Sequence, residues 1–178
     1  MKRIIIALIC LFLSAFTASA DSGWGLFGSY WNSSDGDTEF GPGLRLVYEA
    51  VPGMQIDVRA SYFDNIMDEN EGPDLEVIPL EAGLELNAPL ADKLNVYGGI
   101  GAGYYFMDCD IDVDDEIGFF VNGGLEFDVF ENAAAYGGTR ASLFVEAMYR
   151  SVSADIDGIS KDIDLDGLVL NAGLMMRW

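Results

Sequence analysis

Along most of the chain apolar and polar residues alternate at every second position. This is the period of a β-strand, whose successive side chains point to opposite faces. Met54 to Tyr62 shows it most cleanly, with Met54, Ile56, Val58, Ala60 and Tyr62 on one face and Gln55, Asp57, Arg59 and Ser61 on the other. At roughly 3.3 Å per residue and a tilt near 40°, nine residues rise about 23 Å. The same alternation runs over 44–50, 78–86, 96–106, 117–128, 141–150 and 168–178. A further strand lies near Trp24 to Trp31; it is apolar on both faces, so its parity stays open. The pattern therefore predicts eight strands. Pro79 falls inside one of them, where it cannot donate to the ladder, and is expected near a rim or at a bulge.

The connections alternate in length. Val51-Pro52-Gly53 reads as a tight turn, and 87–93 and 131–139 as modest ones, whereas 32–37, 64–74, 108–116 and 151–166 are acidic stretches. Aromatic residues gather at both strand ends. Tyr62, Tyr104, Phe106, Phe119 and Tyr149 lie toward the acidic connections, and Tyr48, Phe127 and Trp178 lie toward the turns. Two aromatic belts flanking an apolar band, with short turns on one side and longer loops on the other, are the pattern of a strand barrel that crosses a membrane.

The N-terminus fits an exported chain. Lys2 and Arg3 precede an apolar run from Ile4 to Phe16, and Ala18-Ser19-Ala20 supplies small residues for cleavage. This predicts a cleaved signal peptide over 1–20 and a mature domain over 21–178. The run is shorter than the roughly 20 residues that a spanning helix needs. The only spanning structure left to an exported chain of this kind is a closed barrel, because every backbone polar group must be paired within lipid. The predicted fold is thus all-β: a transmembrane antiparallel up-and-down barrel of eight strands, both termini periplasmic.

Composition narrows the chemistry. Nine basic residues stand against thirty acidic ones, a net charge of −21. Nucleic acid is a poor partner for such a chain, since phosphate binding needs Lys and Arg. Cys109 is the one cysteine of the expected mature chain, so no internal disulfide forms there. There is no histidine. This removes His-based triads and most zinc sites, and no catalytic activity or cofactor is expected.

An eight-stranded barrel is narrow and its interior is filled by side chains. On the inward parity lie Arg45, Arg59, Arg150 and Arg177, with Glu49, Asp57, Glu81, Glu85, Glu126, Asp128 and Glu146. Buried charges must be paired. The expected arrangement is an Arg–carboxylate lattice in which Arg45 and Arg59 meet some of Glu81, Glu126 and Glu146 at mid-height. Its expected role is a structural plug, with an ion gate as the competing one. Acidic loops supply a second candidate: Asp108, Asp110, Asp112 and Asp114 in one, Asp162, Asp164 and Asp166 in another, as weak sites for divalent cations that could bridge to lipopolysaccharide. Asp162-x-Asp164-x-Asp166-Gly167 opens like an EF-hand loop, but its twelfth position is Gly173, where a bidentate Glu is needed. A solvated acidic surface is the favoured reading of these runs, since charge runs usually stay hydrated.

The C-terminal strand, Asn171-Ala172-Gly173-Leu174-Met175-Met176-Arg177-Trp178, resembles the outer-membrane assembly signal: a polar residue, a glycine, an apolar residue and a terminal aromatic at Asn171, Gly173, Met176 and Trp178. Relatives usually end in Phe. The stretch from Val77 to Tyr105, with its Pro-Leu-Glu-Ala-Gly strand and Gly-rich Tyr-Gly-Gly-Ile-Gly-Ala-Gly-Tyr strand, resembles the small OmpA/OmpX-like outer-membrane barrels. That resemblance implies outer-membrane lipid and lipopolysaccharide as surroundings and the barrel-assembly machinery as a partner in biogenesis. The class is functionally mixed, so it implies no particular activity. A structural or surface-interaction role leads. The alternative is a narrow OmpW-like channel for small hydrophobic solutes, suggested by Trp31, Phe63, Tyr105 and Phe120 on or near inward positions.

Overall fold

The computed structural model describes residues 22–34, 38–64, 75–108, 115–132, 139–154 and 163–178; the expected signal peptide lies outside them. The strands are β1 (Gly23–Ser33), β2 (Thr38–Val51), β3 (Met54–Ser61), β4 (Glu76–Ala91), β5 (Leu94–Asp108), β6 (Glu116–Asn132), β7 (Thr139–Ser151), β8 (Ser153–Ala154), β9 (Ile163–Asp164) and β10 (Gly167–Arg177). Eight of them close into a barrel in the order β1-β10-β7-β6-β5-β4-β3-β2, and β8 and β9 pair with each other beyond its rim. Every barrel pairing is antiparallel. Closure leaves no strand edge unpaired, as a hydrocarbon surrounding demands.

Register sets the tilt. Followed once around the barrel, the pairing leads from Gly23 through Val47, Asp57, Gly83, Gly101, Phe120, Arg150 and Gly167 to Ser33, ten residues further along β1. With eight strands, this offset gives a strand tilt of about 43°. It also means that hydrogen-bonded neighbours climb by about 3 Å per strand, so side chains at one height are not register partners.

The faces divide as the alternation requires. Leu26, Leu84, Ile100, Ile117, Phe119, Val145 and Leu174 stand on the outside, each at least half exposed to the surroundings. An unbroken apolar exterior of this kind is unsuited to water and suited to acyl chains. Inside, Arg45, Arg59, Glu81, Glu126, Arg150 and Arg177 are buried. The open parity of β1 resolves the same way: Trp24, Leu26 and Tyr30 face out, while Phe27, Ser29 and Trp31 face in.

Some boundaries differ from the sequence reading. Strands β4 and β5 extend to Ala91 and from Leu94, so that turn is shorter than 87–93. The last acidic stretch contains the β8–β9 hairpin. Pro79 sits within β4 at a buried inward position, with no bulge, opposite Tyr105 of β5. On its other side the β3 ladder ends at Ala60–Leu80, and pairing resumes only where Phe63 and Val77 exchange both backbone bonds. The proline thus occupies the gap in a ladder where no donor is required.

Inward glycines make room for rings. A methyl group on Gly101 would strike the Phe120 ring and the Ala82 carbonyl, and one on Gly83 would come 2.8 Å from Phe120 Cζ. On Gly124 it would fall against the Tyr97 phenol. The β4–β6 wall is bare where these large side chains lie across it.

Candidate functional site in the barrel lumen

The alternation of eight tilted strands turns every second residue inward, and the climb of the register sorts those residues into layers. Near the turn end, Arg177 holds Glu126 with both arms, Nε–Oε1 at 2.7 Å and Nη2–Oε2 at 2.6 Å, and donates from Nη1 to Gln55 at 3.1 Å. Ser142 also donates to Glu126.

The middle layer is the densest. Arg45 donates from Nε to Asp57 Oδ1 at 2.9 Å and from Nη2 to Glu85 Oε2 at 2.6 Å. Arg59 bonds closely to Asp57 and Glu146 and reaches Glu85 at 3.1 Å. Two guanidinium groups therefore serve three carboxylates. The surplus negative charge is met by neutral donors: Asn122 Nδ2 to Glu85 at 2.6 Å and to Glu146 at 2.8 Å, and Asn171 Nδ2 to Glu146 at 2.8 Å. Above this, Arg150 grips Glu81 through Nε–Oε1 at 2.8 Å and Nη2–Oε2 at 3.0 Å, and Tyr105 donates its hydroxyl to Glu81 at 2.8 Å.

Rings fill what the ion pairs leave. Arg45 lies over Tyr97 at 4.8 Å, Arg59 over Phe120 at 5.3 Å, and Arg150 over Trp31 at 4.8 Å and Phe63 at 5.4 Å. Weakly hydrated guanidinium groups suit such stacking. Toward the long-loop end an apolar cluster closes the lumen, including Trp31, Phe63, Leu75, Met107, Val152 and Leu165. A smaller one, Phe27, Val47, Phe144 and Met175, sits nearer the turns.

The structure decides which of the candidate carboxylates Arg45 and Arg59 meet. Of Glu81, Glu126 and Glu146, some of which are expected there, Glu146 lies with them. Glu81 belongs to Arg150 and Glu126 to Arg177. The register climb is the cause: it lifts Glu81 above the middle layer and drops Glu126 below it. The true mid-height partners, Asp57 and Glu85, are on the inward parity, but their height follows from the offset of the whole sheet. Asn122, Asn171 and Tyr97 had no signal beyond that parity. Two further inward acids lie near the turns, where Glu49 accepts the Gly53 amide at 3.1 Å and Asp128 lies 3.2 Å from Arg140.

The acidic loops are described only in part. Asp110, Asp112, Asp114 and Asp162 lie outside the described residues. Asp108 ends β5 exposed to solvent. Asp164 accepts the Asp166 amide at 2.9 Å. Asp166 accepts the Val152 amide at 2.6 Å and the hydroxyls of Ser151 at 3.2 Å and Tyr149 at 3.4 Å, so its carboxylate ties the end of β7 to the start of β10. Among the described residues no group of three potential ligands is placed to hold a metal. The rim is acidic in effect all the same. Just beyond β3, partial desolvation and the nearby Asp64 and Glu76 push the Tyr62 phenol above its ordinary value.

Asn171, Gly173 and Met176 of the C-terminal motif lie on β10, which closes the barrel against β1, and Trp178 directly follows it. Asn171 faces the middle layer. Gly173 leaves space beside Phe27, and Met176 and Trp178 face outward. The Trp178 amide donates to the Ser22 carbonyl at 3.0 Å, extending the closing seam by one bond.

Residues 4–177 match the family model described as outer membrane protein beta-barrel domain. Among solved structures, Neisserial surface protein A aligns with a TM-score of 0.70 at 15% identity, covering 90% of this chain and 98% of that one. OprG of Pseudomonas aeruginosa aligns with a TM-score of 0.60 at 17% identity, covering 89% and 95%. The outer membrane protein AlkL aligns at 0.54 and 14%, covering 88% and 90%. At such identities the likeness is one of fold. No curated protein sequence matches the chain.

Proposed function

Because the chain belongs to the family of outer membrane protein beta-barrel domains, we propose that it serves the bacterial outer membrane as a closed barrel, a structural element that offers its acidic outer end to the surroundings. The observation that carries this reading is the sequence of transverse layers across the bore: Arg177–Glu126, then Arg45 and Arg59 with Asp57, Glu85 and Glu146, then Arg150–Glu81, then the apolar cluster. The ionic layers consist of side chains that are almost wholly buried and bonded to one another, and the apolar cluster is buried as well. A solute would have to break several charge-assisted bonds in turn to pass.

The channel reading rests on the inward rings of Trp31, Phe63, Tyr105 and Phe120. Those rings stack on one another and on the guanidinium groups, with Trp31 and Phe63 at 5.2 Å. They occupy the bore, which favours closure. No catalytic role enters the proposal. On the outside, the apolar band meets lipid, and the loop acids would meet lipopolysaccharide through bridging cations. During biogenesis β10, with Asn171, Gly173, Met176 and Trp178, would be the strand read by the assembly machinery.

Planar-bilayer recording of the refolded chain tests the closed bore. The expected trace shows no steady openings at moderate voltage. Long-lived openings of large conductance would overturn the proposal.

A further inference from the structure

Six buried polar atoms along one side of the lumen have no hydrogen-bond partner among the described residues: Ser29 Oγ, Trp31 Nε1 and Ser33 Oγ on β1, Asn171 Oδ1 on β10, Arg150 Nη1 on β7 and Asn122 Oδ1 on β6. They are not scattered. Ser29, Trp31 and Ser33 are successive inward positions of a single strand. Ser29 is the register partner of Asn171. Arg150 lies 4.8 Å over the Trp31 ring. Asn171 and Asn122 both donate to the Glu146 carboxylate. The atoms therefore form a seam that starts at the Glu146 group at mid-height and follows β1 upward. It runs through the edge of the outer apolar cluster, to which Trp31 belongs, and ends at Ser33 at the long-loop rim.

Buried polar groups are met by protein or by ordered water. The unmet set here is mixed: Trp31 Nε1 and Arg150 Nη1 can only donate, the two Asn oxygens can only accept, and the serines do either. Neighbouring inward residues on a strand are about 6.6 Å apart, a span that two linked waters bridge with three hydrogen bonds.

We propose that this seam binds a file of ordered water, fed from the outer side through Ser33 and ending at Glu146. The lumen is then a hydrated half-channel. Water and exchangeable protons reach the middle layer from outside, while the Arg59–Glu146 and Arg177–Glu126 bonds close the way below. Ser22, at the opposite rim, is not part of the seam.

Trp31 is the probe. The chain has three tryptophans, and the other two, Trp24 and Trp178, face outward. In the full barrel refolded into lipid nanodiscs with ¹⁵N-labelled Trp, water-selective NMR and exchange into D₂O are read at the Trp31 indole. The Phe27 backbone amide is the internal reference. The expected result is a water cross-peak at Trp31 and loss of its proton well ahead of the Phe27 amide, although the ring is only 1% exposed. Ser33→Val should slow that loss several-fold, and Ser22→Val should leave it unchanged. An indole with no water contact and protection equal to Phe27 would overturn the proposal in the wild-type barrel alone. Slowing by Ser22→Val in place of Ser33→Val would overturn the direction of entry.

Discussion

Replacing Arg150 with Met removes the upper ion pair while keeping most of the side-chain volume. Arg150 and Glu81 are both fully buried and joined by two bonds, at 2.8 and 3.0 Å. Taking away one partner of such a pair leaves an uncompensated charge in the interior, which costs about 3–5 kcal/mol. The stacking of Arg150 on Trp31 and Phe63 adds to the loss. After the change, Glu81 retains only the Tyr105 hydroxyl among these donors. With a urea dependence of about 2 kcal/mol per molar, a loss of about 4 kcal/mol moves the unfolding midpoint down by about 2 M. Urea titration of the vesicle-inserted barrel, followed by tryptophan fluorescence, reads this directly. The companion variant Glu81→Gln in the Arg150→Met background removes the stranded charge and should regain about half of the loss, because replacing both partners is far milder than replacing one. A midpoint shift below about 0.5 M for Arg150→Met, or a double variant weaker than the single one, would refute the reasoning.

Three other outcomes are expected. Gly101→Ala forces a methyl group into the Phe120 ring and the Ala82 carbonyl; overpacking of this kind costs about 1–3 kcal/mol, read by the same titration, with Gly98→Ala on the outer face near neutral as the control. Asp166→Ala frees the Val152 amide and the Ser151 hydroxyl, so hydrogen exchange at Val152 should accelerate while the amides of the central strands keep their protection, a local loss of about 1–2 kcal/mol. Trp178→Ala should slow folding assisted by the assembly machinery more than it lowers equilibrium stability, which a comparison of assisted folding rates with urea midpoints resolves.

The strands, their number and the direction of nearly every side chain were legible because alternation is local: Met54 to Tyr62 carries its own parity without reference to anything else. Parity also delivered the inward charges. It failed on β1, where Trp24, Leu26, Phe27, Tyr30 and Trp31 are all apolar, because the lumen near the outer end is itself lined with rings. The partners of each charge were not legible. Whether Arg59 meets Glu81 or Glu85 depends on the ten-residue offset accumulated around the closed sheet, and no single segment holds that information. Pro79 was anticipated as a nuisance. Its acceptance depends on a gap left by the preceding strand, β3, which the alternation over 78–86 does not reveal. For Asp166, an acidic run reads the same in sequence whether its carboxylates cap amides or face solvent.

The glycine-bare wall carries one more consequence. In a tube of fixed girth, volume is shared between neighbouring strands, and here glycines of β4, β5 and β6 cede theirs to Phe120, Tyr97 and Tyr105 on the same wall. Enlarging one of these glycines can succeed only if the ring lying over it shrinks in the same step. The interior is therefore a set of exchanges between adjacent positions, and a designer who wants to carve an aqueous passage through this barrel should trade Phe120 and Gly101 together before touching a single charge.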